Sequence, residues 1–229
     1  DIQDGRIIIQ QGDFYLNENC CSPSQLEKLV GRRTSLRNQY VGALEPHRHD
    51  SNAEEGFIHP YAWFEKSSTD KRNYIAQRSA VINSNIGYGT NVQEGCILDC
   101  VDTGEHNIFA HNSIARDARM GNYNFLMFNS IAEHTKMGDY VILMPNTSIE
   151  GDAQNPIQLA SGLYLGHITN QQDADKNRIS FHELSNKKGG PQFYENLLDR
   201  MNHILELNGG LPDIEGHAQN HRNLIYKTI

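Results

Sequence analysis

Cysteine is scarce in this chain. There are four in 229 residues, at Cys20, Cys21, Cys96 and Cys100. They are too few and too clustered for a disulfide framework, which points to a reducing compartment. Long apolar runs are absent as well. No stretch approaches the ~20 apolar residues of a membrane span, and the mean hydropathy is −0.61, so no transmembrane segment is expected. Positive charge is in deficit, with 20 Lys and Arg against 28 Asp and Glu, a net charge of −8. That balance excludes nucleic acid as the principal partner.

What the chain does have is a repeat. From residue 69 to 153, five rows of 17 residues align without a gap, from TDKRNYIAQRSAVINSN to MGDYVILMPNTSIEGDA. The first column holds Thr69, Ile86, Thr103, Met120 and Met137; the seventh holds Ile75, Val92, Phe109, Leu126 and Leu143. The thirteenth holds Val81, Leu98, Ala115, Ala132 and Ile149, and the eleventh is always small: Ser79, Cys96, Ser113, Ser130 and Thr147. Apolar positions about six apart match neither a helix nor a single strand. They predict a three-sided coil, each side a short strand with one apolar residue inward. Coils stacked at ~4.8 Å would bury a continuous column. The second column, Gly87, Gly104, Gly121 and Gly138, is expected to supply corner backbone.

Four segments follow: an N-terminal arm (1–56), a parallel β-helix (57–170), a loop with a C-terminal helix (171–208) and a tail (209–229). FIHPYAWFE (57–65) reads as the first coil, and PIQLASGLYLGHITN (156–170) as an irregular last one. In 191–208, Phe193, Leu197, Leu198, Met201, Ile204 and Leu205 make an amphipathic helix. Its apolar face must lie on the coil stack or on a neighbouring chain. In the arm, SPSQLEKLVGRRTSLRNQY (22–40) begins like a capping box and carries Lys28, Arg32, Arg33 and Arg37. A solvated helix face explains those cations; docking on an acidic partner or an anionic surface is the sharper expectation.

Stacking brings columns together. Column 14 holds Ile82, Asp99, Arg116, Glu133 and Glu150, so Asp99 and Arg116 should be neighbours on adjacent coils. TNVQEGCILD (90–99), FAHNSIAR (109–116), MGDYVILMPNTSI (137–149) and SGLYLGHITNQQDADK (161–176) resemble the gamma-class carbonic anhydrases. The resemblance implies a left-handed parallel β-helix, a trimer and a C-terminal helix. It also implies zinc between subunits, with two histidines at the positions of Asp99 and Arg116 and a third at His111. Here only His111 remains. Arginine stays protonated and offers no lone pair, so two of three ligand positions are lost. Gln93 matches a family glutamine near the metal, whereas Asn83-Ser84-Asn85 replaces the family's Arg-Gly-Asp stretch. An Asp99–Arg116 ion pair would put a fixed cation where the metal was; both side chains facing water is the plainer alternative.

Other constellations compete. His134, in NSIAEHTKMGDY (129–140), resembles the base of hexapeptide-repeat acyltransferases. Glu133, its sequence neighbour, faces the other way on a strand, and acyltransferase coils are usually one residue longer. Cys100, His106 and His111 fall on different sides of the coil, and His47, His49 and His59 lie in or near a polar linker. The sequence therefore reads as a non-catalytic, gamma-carbonic-anhydrase-like structural subunit. The resemblance implies homologous subunits as trimer partners, within a larger membrane-associated complex. It implies the membrane arm of mitochondrial respiratory complex I, on the matrix side of the inner membrane. No cofactor is expected, except zinc at an interface that a partner chain completes through His111. The alternatives are an acyltransferase using His134 and a carbonic anhydrase with a shared site.

Overall fold

Residues seventeen apart are strand neighbours in this structure, a computed structural model. Val92 pairs with Phe109, Leu98 with Ala115 and Thr103 with Met120, all in parallel. The structure describes residues 57–69 and 72–207, together with 2–3, 7–10, 13–16, 31–32, 35–36 and 219–223. The result is a parallel β-solenoid with three faces. The first face runs from Phe57–Ile58 through Ile108–Phe109 to Gly162–Tyr164. A second runs from Trp63–Glu65 to His167–Ile168. The third includes Asn85–Ile86, Thr135–Met137 and Ile157–Leu159. Ile97–Thr103 and Ile114–Met120 bend across the corner between the second and third faces.

Each of the three foreseen apolar columns points inward. Phe109, Leu126, Leu98, Ala115, Met120 and Met137 share one core cluster. The third face adds a second inward column that the alignment did not single out. Val101, Ala118 and Ile157 belong to that core too. Where this column is polar, it serves the backbone: Val101 N–H donates to Ser84 Oγ at 3.0 Å, and Ser84 N–H to Ser67 Oγ at 3.1 Å. A buried asparagine column works likewise. Asn107 Oδ1 accepts from Asn124 N–H at 3.0 Å, and Asn124 Oδ1 from Val141 N–H at 2.7 Å. These bonds tie each coil to the next and satisfy donors that the corners would otherwise strand.

The turns are made differently from the expectation. In the coil 103–119 the left-handed residues are His106 (φ 56°), Asn112 (φ 64°) and Asp117 (φ 48°), one at each corner. Asn, Asp and His tolerate this conformation better than most side chains. The glycine column does not turn the chain. A Cβ on Gly87 would run into the carbonyl of Gly104, and one on Gly104 would sit 2.9 Å from the Gly121 carbonyl. Those glycines let adjacent coils approach each other.

Into the last coil the step lengthens, since Met137 pairs with Leu159 and Leu143 with Tyr164. Then Arg178–Ile179 pairs antiparallel on Gly162–Tyr164 and closes the first face. Two short helices flank it, Gln171–Lys176 and Phe181–Asn186, capped by Asn170 and Ser180. The C-terminal helix Gly190–Leu207 lies on the outside of the stack. Its Phe193, Tyr194, Leu197, Leu198 and Met201 are buried with Ile108, Phe125, Met127 and Met144 of the first face. Burying five such side chains contributes on the order of 10 kcal/mol before entropy is charged against it.

The arm contains an antiparallel meander of Ile2–Gln3, Ile7–Gln10 and Asp13–Leu16. Of the basic segment 22–40, residues 31–32 and 35–36 are described, and they are helical. Leu36 is fully buried among Ala80, Ile97, Ile114 and Ile131 of the second face. The linker histidines His47 and His49 lie outside the described residues, as do Cys20 and Cys21. No described helix is long and apolar enough to cross a membrane.

Candidate functional site

Asp99 and Arg116 are register partners, as are Arg116 and Glu133, and Glu133 and Glu150. They form a charged column on the second face. Arg116 Nη2 lies 3.2 Å from Glu133 Oε1, and its Nε lies 3.4 Å from Asp117 Oδ2. Arg32 approaches from the N-terminal helix, its Nη2 2.6 Å from Glu133 Oε2 and its Nε 4.0 Å from Glu150. The Glu133 side chain is only 5% exposed and sits between two guanidinium groups. The acidic partner of Arg32 therefore belongs to the same chain.

This column does not fit zinc. Arg116 cannot coordinate, and both its ends are engaged by carboxylates. Leu36 and Arg32 cover the wall on which the column stands. His111 is exposed beside the Phe128 ring, with centroids 6.0 Å apart. Gln93 is buried on the first face, and its Oε1 has no hydrogen-bond partner. Among the described residues, no group of three or more His, Cys, Asp or Glu is arranged to hold a metal ion. His106 stacks on Tyr123 at 5.0 Å, on a different corner from Cys100, so Cys100, His106 and His111 form no cluster. Burial, with help from Asp99, outweighs the nearby Arg116 and pushes the Cys100 thiol up, away from the thiolate.

The structure does assemble a different pair. Asp117 and His134 occupy the same left-handed corner of consecutive coils, at φ 48° and 49°. His134 Nδ1 lies 3.7 Å from Asp117 Oδ2. That is longer than a hydrogen bond but close enough for a carboxylate to orient the ring. The same oxygen faces Arg116 Nε, so the charged column holds Asp117 in place. Both residues line a cavity of about 440 Å³ with Arg119, Lys136 and Gln154. A larger groove of about 910 Å³ continues along the corner past Asn83, Cys100 and Asp102. The acid beside His134 is therefore Asp117, 17 residues away in the same column, and not the sequence neighbour Glu133.

A second polar feature emerges only in three dimensions. Tyr123 stacks on Tyr140 at 5.0 Å, and the ring of His221 stands edge-on to both. Tyr194 Oη lies 2.7 Å from His221 Nδ1, and Asn220 Nδ2 donates to Tyr123 Oη at 3.0 Å. Burial pushes the His221 imidazole down to about 4. The segment 219–223 is thus tied to both the stack and the C-terminal helix.

No protein-family model matches the chain, and no curated protein does. Among solved structures it is similar to a protein of Desulfovibrio desulfuricans G20 assigned as an acetyltransferase. The two share 25% identity at a TM-score of 0.66, over 80% of this chain and 43% of that one. The chain therefore spans less than half of that protein. A hexapeptide transferase family protein from Anaplasma phagocytophilum matches at 16% identity and a TM-score of 0.41, over 53% of this chain and 83% of that one. The likeness to the Desulfovibrio protein is one of fold, and the chain's own register makes it a parallel β-solenoid with coils of 17 residues.

Proposed function

We propose that the corner groove is the active site of an acyl-group transferase, with His134 as general base. The observation that carries this reading is the approach of Asp117 Oδ2 to His134 Nδ1, 3.7 Å away at the mouth of a polar groove. A carboxylate on Nδ1 leaves Nε2 to take the proton of an acceptor hydroxyl or amine. As that proton leaves, the acceptor oxygen or nitrogen attacks the carbonyl of an acyl thioester. The C–S bond then breaks, and the departing thiolate takes the proton back from the imidazolium. The likeness to an assigned acetyltransferase supports the same class. A neighbouring subunit of a trimer would complete the site. The test is thiol release from acetyl-CoA in the presence of hydroxyl and amine acceptors. His134→Ala should abolish most of the rate, a loss of roughly 10²–10⁴-fold. Unchanged turnover in that variant overturns the reading.

A second reading is favoured by one specific feature, the Arg116–Glu133–Arg32 clamp where the gamma-carbonic-anhydrase pattern has metal ligands. It makes the chain a non-catalytic subunit of a mixed trimer in a larger membrane-associated complex. Mitochondrial complex I, on the matrix side, is the setting the resemblance implies. Zinc would then be held only where His111 meets two histidines of a partner chain. Isolation of the native chain decides it: a stable association with homologous subunits supports it, and a free homotrimer free of zinc but active on acetyl-CoA excludes it.

A further inference from the structure

Three concavities meet at Arg119. It lines the corner groove of about 910 Å³, the cavity of about 440 Å³ beside His134, and a shallow depression of about 430 Å³ on the third face. Lys136 lines the last two. Arg119 and Lys136 are register partners on adjacent parallel strands, and both are exposed. Their backbones are therefore ~4.8 Å apart.

Two like charges side by side on a ladder repel each other, and the one acid in register with them stands on the Arg119 side alone. Asp102 stands in register with Arg119 on the preceding coil, but its Oδ1 accepts from Asn85 Nδ2 at 3.3 Å. On the other side of Lys136 the register partner is the neutral Gln158. Asp117 Oδ2 faces Arg116 and His134. Among the described residues, no ion pair joins Arg119 or Lys136 to an acid. In a chain of net charge −8, a stacked pair of cations that make no ion pair of their own, at the junction of three cavities, calls for an anion from outside. Two separate point charges suit a tetrahedral dianion, which presents oxygens to both, better than a planar carboxylate gripped by one guanidinium.

We infer that the Arg119–Lys136 notch binds a phosphate group of a small-molecule ligand, whose remainder lies in the corner groove. The inference rests on the groove being the ligand site, as in the proposed function, but not on the chemistry of His134. The phosphate can belong to a phosphorylated acceptor or to a nucleotide-bearing donor.

Calorimetric titration of the full chain at low ionic strength, with inorganic phosphate, a sugar phosphate and an adenosine bisphosphate, tests it. Saturable binding at one site is expected, weakening as salt is added. Arg119→Gln and Lys136→Gln should each weaken it roughly threefold, and together about tenfold. Arg72→Gln removes a cation from another corner and should change nothing. Tighter binding of the sugar phosphate assigns the notch to the acceptor, and tighter binding of the adenosine bisphosphate assigns it to the donor. His134→Ala should bind phosphate normally. If that variant also turns over normally, the catalytic reading falls while the phosphate site stands. Absence of saturable binding to all three probes, or wild-type binding by the double variant, overturns the inference.

Discussion

Asp117 and His134 stand on the same corner of consecutive coils, the carboxylate 3.7 Å from the imidazole Nδ1. Asp117→Asn keeps the shape of the corner and removes the charge. It should lower kcat for acyl transfer by roughly tenfold, because the imidazole loses the carboxylate that orients it. Steady-state rates check this. A Km effect without a kcat effect would assign Asp117 to substrate binding instead.

Glu133 is nearly inaccessible and lies between Arg116 and Arg32. Glu133→Gln leaves two guanidinium groups facing a neutral amide and should destabilise the fold by about 3 kcal/mol. Arg32→Ala removes a side chain that is 39% exposed and should cost only about 1 kcal/mol as an ion pair. Urea unfolding of the two variants compares them directly.

Glycine substitutions should separate two roles. A Cβ on Gly104 would meet Asn122 and the Gly121 backbone, so Gly104→Ala should destabilise by about 2 kcal/mol or more. Gly31 is helical with nothing within 4 Å of a new Cβ. Gly31→Ala should therefore stabilise by about 0.5–1 kcal/mol. Thermal melts read both signs.

His221 is fully buried, and burial pushes it down to about 4, below its usual 6.5. The folded state thus binds fewer protons than the unfolded one. The stability this neutral ring supports is intact above pH 6.5 and is lost as pH falls toward 4, by up to about 3 kcal/mol. Hydrogen exchange at 219–223 should accelerate in that window before the coils loosen. Protection that stays constant down to pH 4 contradicts this.

Much of the architecture was legible because column arithmetic is topology in a solenoid. A constant period of 17 placed Ile75, Val92, Phe109 and Leu126 in one stack, and it made Asp99 and Arg116 register partners. The reason for the glycine column was misjudged, since spacing does not distinguish a turn from a close approach. The inward column of Val101 and Ala118 is masked in the sequence because the polar Ser84 and Thr135 stand on either side of them in the stack. Ser180 three residues before Glu183 is a capping pattern within the expected loop, and it starts the helix Phe181–Asn186. The embrace of Glu133 by Arg32, 101 residues away, follows no period and needed coordinates. Asp117 and His134 share column 15, so the acid that faces the imidazole comes from the adjacent coil and not from the neighbouring residue.

A parallel stack presents an unpaired edge at its last coil, an invitation to end-to-end growth into fibres. Arg178–Ile179 occupies that edge on the first face and runs in the opposite sense. A further parallel coil arriving there finds its docking strand already taken by a reversed one. Polymerisation is blocked on that side by a two-residue strand, and the protein can keep a finite size while using a fold that has no built-in length.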